Sequence, residues 1–142
     1  MLIRMLYVST AVGPITTTVT GTILRSAQAF NADNGITGVL CQGQGVYLQV
    51  LEGRRSDVNA LYGRIAADKR HKNVQLMAFE DISQRRYGAW AMAHVNLTDS
   101  ETTLALNASG AEFDPYAAPA ERVMAKIDAL ISAGKVMSVP VV

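Results

Sequence analysis

The chain has 142 residues, of which 49% are hydrophobic and 18% charged, the size and balance of one domain with a substantial core rather than a disordered segment. Thirteen basic and twelve acidic residues leave a formal charge of +1, which provides no electrostatic footprint for nucleic acid or an anionic membrane surface as partner. The single cysteine, Cys41, excludes an internal disulfide and a multi-thiol metal site.

Residues 2–8 read as a first strand, with Ile3, Met5 and Tyr7 on one face and Leu2, Arg4, Leu6 and Val8 on the other. Apolar residues on both faces place it centrally in a sheet. The segment is too short for a spanning helix of ~20 apolar residues and does not resemble a signal peptide, so a cytoplasmic location is expected. After Gly13-Pro14, threonines at 16, 17, 18 and 20 offer N-caps for a helix over about 18–33. Ile23, Ala27, Phe30 and Asn31 have the spacing of its buried stripe. Asn31 has two readings, an amide at the helix end bonding nearby carbonyls or a polar group aimed into a site.

Asn34-Gly35 closes this helix, and residues 36–41 begin a second strand in which Cys41 packs as a small hydrophobe. Gln42–Gly45 is a hairpin connection. The third strand, Val46 to Gly53, is apolar except for Gln49 in its middle and Glu52 near its end. Period-two alternation puts Gln49 beside Tyr47 and Leu51, opposite Val46, Leu48 and Val50. A buried amide without partners costs roughly 2–7 kcal/mol, so something polar must answer it.

Ser56 can cap a second helix to about Asp68, with a stripe of Val58, Leu61, Tyr62 and Ile65. Asp68-Lys69-Arg70-His71 is either a solvated helix end or a holder of a phosphate-bearing ligand. A fourth strand follows over about 74–79, and a fifth over 89–97 with Trp90, Met92 and His94 on one face. His71 and His94 are far apart, without companion metal ligands, and read as surface or structural. A short helix is expected within 98–110, and Pro119 opens a last helix over about 118–133, ended by Gly134.

The order β-α-β-β-α-β-β plus a C-terminal helix predicts an α+β, ferredoxin-like sandwich, with two helices on one sheet face. The boundary falls at 97/98, between a domain of residues 1–97 and a helical extension, 98–142, packing on the sheet. No phosphate-binding loop, dinucleotide fingerprint, nucleophile elbow or metalloprotease signature is present. What remains is Tyr7, Asn31 and Gln49, three polar residues on apolar faces that can open between the two helices and suit a planar ligand with donors and acceptors along one edge.

Five stretches then carry a resemblance: Tyr7-Val8-Ser9; Asn31 with Asn34-Gly35-Ile36-Thr37-Gly38; Tyr47 to Gly53; Asp68-Lys69-Arg70-His71; and Arg85-Arg86-Tyr87-Gly88-Ala89-Trp90-Ala91-Met92. Together they resemble the BLUF domains, blue-light sensors that use a flavin, over about residues 1–97. The resemblance implies FAD as cofactor, with FMN as the alternative, and no metal. It makes Tyr7 the electron and proton donor, Gln49 the amide whose hydrogen bonds rearrange, and Trp90 and Met92 the pair that exchanges positions during signalling. Asn31 would bond the ring edge, Ile23, Phe30 and Ile65 would line the ring, and Asp68, Arg70 and His71 would meet its polar edge and phosphate-bearing tail. Tyr47 stands where phenylalanine is common, which makes it a second candidate donor.

The function implied is photoreception without enzymatic turnover, passed through strand 5 and the C-terminal helix to a separate downstream protein, with a homo-oligomer expected. Two other readings compete. One is an acylphosphatase-like hydrolase of the same fold, which needs an arginine in a phosphate-cradling loop that the Ala11–Pro14 turn lacks. The other is a cofactor-free interaction module using the face Val123/Ile127/Leu130/Ile131.

Overall fold

The computed structural model describes residues 1–98, 107 and 113–137. The elements are β1 (Leu2–Ala11), α1 (Thr17–Asp33), β2 (Thr37–Gly43), β3 (Val46–Arg54), α2 (Arg55–Ala66), β4 (His71–Ile82), β5 (Ala93–Asn96), α3 (Ala120–Ser132) and β6 (Val136–Met137). They form one sheet in the order β4-β1-β3-β2-β5-β6. All neighbours are antiparallel except β2 and β5. β3 inserts between β1 and β2, the split β-α-β arrangement of a ferredoxin-like fold.

Local chemistry sets the joints. Thr16 caps α1 through its side chain, which accepts from the Val19 N–H at 3.1 Å. The β2–β3 hairpin turns through Gln44 and Gly45, both left-handed at φ 54° and 78°, as a two-residue hairpin of matching twist requires. Gly38 is fixed by close approach, because a Cβ there would stand 2.0 Å from the Val50 carbonyl oxygen on β3.

The expected alternation holds and divides the core in two. Ile3, Met5, Tyr7, Leu40, Tyr47 and Leu51 face α1 and α2. Leu6, Val8, Val39, Cys41, Leu48 and Val50 face the other way, where Val123, Ile127 and Leu130 of α3 join them.

Four expectations need correction. The fifth strand covers only 93–96, not 89–97. Residues 90–92 bend instead: the Trp90 carbonyl still bonds to the Gly38 N–H on β2, but those of Ala91 and Met92 are taken by the Asn31 and Gln28 side chains of α1. Trp90 and Met92 therefore do not share a face: Trp90 packs with the α3 core and Met92 with the α1/α2 core. Second, Ser56 is not the cap of α2. The helix starts at Arg55 with Arg54 at its N-cap and no side-chain cap bond.

Third, β4 is twelve residues long and takes in His71. As an edge strand it is exposed along most of its length and interrupted by two register shifts against β1, so it shows no clean alternation. Fourth, β6 was not expected; two residues carry too little pattern to be read. The short helix expected within 98–110 lies outside the described residues.

Candidate functional site

Tyr7 on β1 and Gln49 on β3 are cross-strand neighbours in register. Their side chains meet on the α1/α2 face, where the Tyr7 hydroxyl Oη donates to Gln49 Oε1 at 2.6 Å. The other end of the amide, Nε2, points to Met92 Sδ at 3.5 Å, a soft and weak acceptor. Burial pushes the Tyr7 pKa up, and the neighbouring Tyr62, Asp68 and Tyr47 add to the rise. The phenol is therefore held protonated, with its hydrogen aimed at Gln49.

These two residues floor a cavity of about 200 Å³ between α1 and α2. Ile23, Phe30 and Asn31 enter from α1 and Ile65 from α2, while Asp68, Arg70 and His71 stand where the chain leaves α2. The structure thus brings all nine expected cofactor-binding residues to one cavity. Trp90 and Met92 do not line it. Met92 sits behind Gln49, whose Nε2 points to its Sδ, and Trp90 lies on the opposite side of the sheet.

Asn31 is buried, and its Nδ2 donates to the Ala91 carbonyl at 2.9 Å. The helix-end role considered for it belongs to Asn34, whose Nδ2 bonds the Phe30 carbonyl at 2.8 Å. Asn31 Oδ1 has no hydrogen-bond partner. A buried acceptor left open in this way costs about 1–3 kcal/mol unless a ligand or water completes it.

His71 is committed to the fold. Its Nε2 donates to the Ile65 carbonyl at 2.5 Å, and its Nδ1 pairs with the Ser9 hydroxyl at 2.7 Å. The ring packs edge-on against Tyr7 and Tyr47 with centroids 6.2 and 6.4 Å away. It therefore offers the cavity a wall and no spare nitrogen. Arg70 forks onto the Asp68 carboxylate with contacts of 2.5 to 3.1 Å, and this bonding lowers the Asp68 pKa. Both side chains are partly exposed at the mouth.

Several lining residues went unnoticed in the sequence. Arg64 stacks its guanidinium 4.5 Å from the centroid of the Phe30 ring, a cation–π contact that adds a second arginine at the rim. Ser26 and Leu40 also line the cavity. Nothing in their local pattern distinguishes them from a solvated helix position and a core strand position.

Residues 2–93 match the family model described as BLUF, sensors of blue-light using FAD. The chain belongs to the BLUF family. A photoactivated adenylate cyclase subunit alpha of Euglena gracilis is 39% identical over 88 residues, 62% of this chain and 9% of that relative. The chain therefore corresponds to a small part of such relatives. Among solved structures, BlsA in its ground state superposes with a TM-score of 0.82 at 25% identity, covering 92% of this chain and 88% of its own. BlrB, a BLUF protein in its dark state, gives 0.78 at 26% identity, covering 94% and 96%.

Klebsiella pneumoniae BlrP1, solved with FMN and cyclic diGMP, gives 0.70 at 26% identity over 94% of this chain and 35% of its own. BLUF domains bind a flavin, and the residues here suit one. The cavity has aliphatic and aromatic walls, and it holds a buried acceptor in need of an N–H, which a flavin ring carries. Arginines stand at its mouth, where a phosphate-bearing tail would need them. Among the described residues there is no cluster of three or more metal-ligating side chains, and no helix is long and apolar enough to cross a membrane.

Proposed function

We propose that this BLUF domain signals through Tyr7 and Gln49. The observation that carries this reading is the 2.6 Å bond from the Tyr7 hydroxyl to Gln49 Oε1 beside a cavity with an unanswered acceptor. A bound flavin supplies absorption of blue light and an excited state that takes up an electron. Asn31 orients the ring edge, Ile23, Phe30 and Ile65 hold its faces, and Arg70, with Asp68 beside it, meets the tail. Tyr7 is the donor. A phenol that loses an electron becomes a strong acid, and its proton already has an acceptor at Gln49 Oε1. Gln49 then rotates, which turns Nε2 away from Met92 Sδ, or tautomerises, in which Nε2 gives up a proton as Oε1 gains one, or does both; either changes what it offers Met92.

Residues 90–92 lead directly into β5, which pairs with β6, the strand that follows α3. A change at Met92 is thereby passed toward the far face of the sheet. Residues 1–97 are the flavin-binding unit and 98–142 the extension that carries the signal. The chain acts in the cytoplasm without turnover of its own, as a homo-oligomer addressing a separate downstream protein.

A light-minus-dark absorption spectrum tests this. Blue light should shift the yellow flavin band slightly and reversibly to the red, and Gln49→Leu should abolish the shift while flavin still binds. A normal shift in that variant overturns the role of Gln49. Tyr7→Phe should stop the photocycle, and an unchanged photocycle would move the donor role to Tyr47.

A further inference from the structure

The chain crosses the sheet at residues 90–92. Trp90 is packed in the α3 core, and two residues later Met92 is fully buried in the α1/α2 core. Three successive carbonyls of this segment accept hydrogen bonds from other elements. The Gly38 N–H bonds to the Trp90 carbonyl at 3.1 Å, Asn31 Nδ2 to that of Ala91 at 2.9 Å, and Gln28 Nε2 to that of Met92 at 3.2 Å.

The three donors differ in what they answer to. Gly38 belongs to the backbone of β2. Asn31 also lines the cavity, so its amide is shared with whatever the cavity holds. Gln28, one turn earlier on α1, is not among the cavity's lining residues. Its amide reaches a carbonyl 64 residues away from a half-buried position, with no carboxylate or cation in the bond. A neutral bond of this type changes an equilibrium by a factor on the order of five. That is enough to bias two arrangements of similar energy and too little to freeze one of them.

We propose that Gln28 is a positioning residue, whose bond to the Met92 carbonyl holds residues 90–92 in the dark arrangement and opens when Gln49 rearranges. The proposal rests on the photoreceptor reading and adds to it the element that gates passage of the signal into β5. Gln28 touches neither Tyr7 nor Gln49 through a hydrogen bond, so removing its donor leaves the colour change intact and uncouples it from the strand.

Gln28→Glu has nearly the same size but no donor when ionised, and Gln28→Lys keeps a donor. Trp90 is the only tryptophan, so its fluorescence reports on the segment even in flavin-free protein. There, Gln28→Glu should make Trp90 severalfold more quenchable by iodide, with Gln28→Lys staying close to the parent. In flavin-loaded protein the red shift should persist in Gln28→Glu. Deuterium uptake across residues 90–96 should already stand at the illuminated parent level in darkness, erasing the light–dark difference. Equal increments of uptake in dark and light would make the bond a bystander and overturn the proposal, as would an unchanged light–dark difference. A parent protein without any red shift would remove the photoreceptor reading and this proposal with it, an outcome told apart because the flavin-free fluorescence contrast would remain. If Gln28→Glu does not fold, Gln28→Met keeps the length without the donor and faces the same outcomes.

Discussion

The two faces of this sheet are built from alternate residues of the same strands, yet their polar groups end in opposite states. On the α3 face the polar groups are closed against one another. Glu52 is fully buried, and its carboxylate accepts from Arg4 Nε at 2.8 Å and from the Arg86 and Tyr87 backbone N–H groups at 3.0 and 2.6 Å. Tyr87 and Arg86 in turn bond Asp128 of α3 at 2.5 and 3.1 Å. On the α1/α2 face a cavity remains, Asn31 Oδ1 is unanswered, and Gln49 gives its N–H only to a thioether. The first face supplies stability, and the second keeps Asn31 Oδ1 and Gln49 Nε2 available for a ligand.

The largest effect should come from breaking the closed face. Glu52→Gln leaves the Arg4 guanidinium buried with only Glu80 beside it, at 3.4 Å. Losing one partner of a buried pair costs about 3–5 kcal/mol, and urea unfolding should show it with or without flavin. A loss below about 1 kcal/mol would mean that the Glu52 network is not what holds this face. Next, Ile127→Ala should cost about 2–5 kcal/mol, since Ile127 is nearly fully buried in the α3 core, and flavin affinity should stay unchanged. Ile23→Ala on the other face should do the reverse. It lines the cavity and is only half-buried, so thermal stability of the flavin-free protein should barely move while flavin binding weakens roughly tenfold. Equal stability losses from the two truncations would erase the contrast between the faces.

This contrast also marks what could be read in the sequence. Ile3, Met5 and Tyr7 on one face of β1 and Gln49 beside Tyr47 and Leu51 on β3 were legible, because strand alternation is strict wherever both faces are buried. The convergence of Tyr7, Asn31 and Gln49 followed once the order of elements was read. The role of Glu52 was not legible. Its partners Arg86 and Tyr87 are backbone groups in a loop, which side-chain patterns do not encode. The bend at 90–92 was missed because Trp90, Met92 and His94 alternate as a strand would, and only tertiary bonds from Gly38, Asn31 and Gln28 override that pattern. Arg64 at the rim was hidden for a similar reason, since its contact with Phe30 joins two helices.

The smallest expected effect separates His94 from the site. His94 is 9% exposed, lies next to Leu40 in the β2–β5 register, and pairs through Nε2 with Gln42 Nε2 at 2.9 Å. An amide nitrogen only donates, so the ring nitrogen accepts and the imidazole is neutral. Burial lowers its pKa below 6.5. The unfolded chain then binds the proton more readily than the folded one. Stability should be level above about pH 6.5 and fall as pH drops from there toward the folded pKa. His94→Gln should flatten this part of the stability profile, measured by urea unfolding between pH 5 and 7.5, roughly the window in which an ordinary histidine titrates. Asp68, the carboxylate at the cavity mouth whose pKa is lowered, contributes the same sign only in the acid range, below the ordinary carboxylate value of about 3.9. A slope that survives His94→Gln would place the titrating group elsewhere and remove His94 from the account of this face.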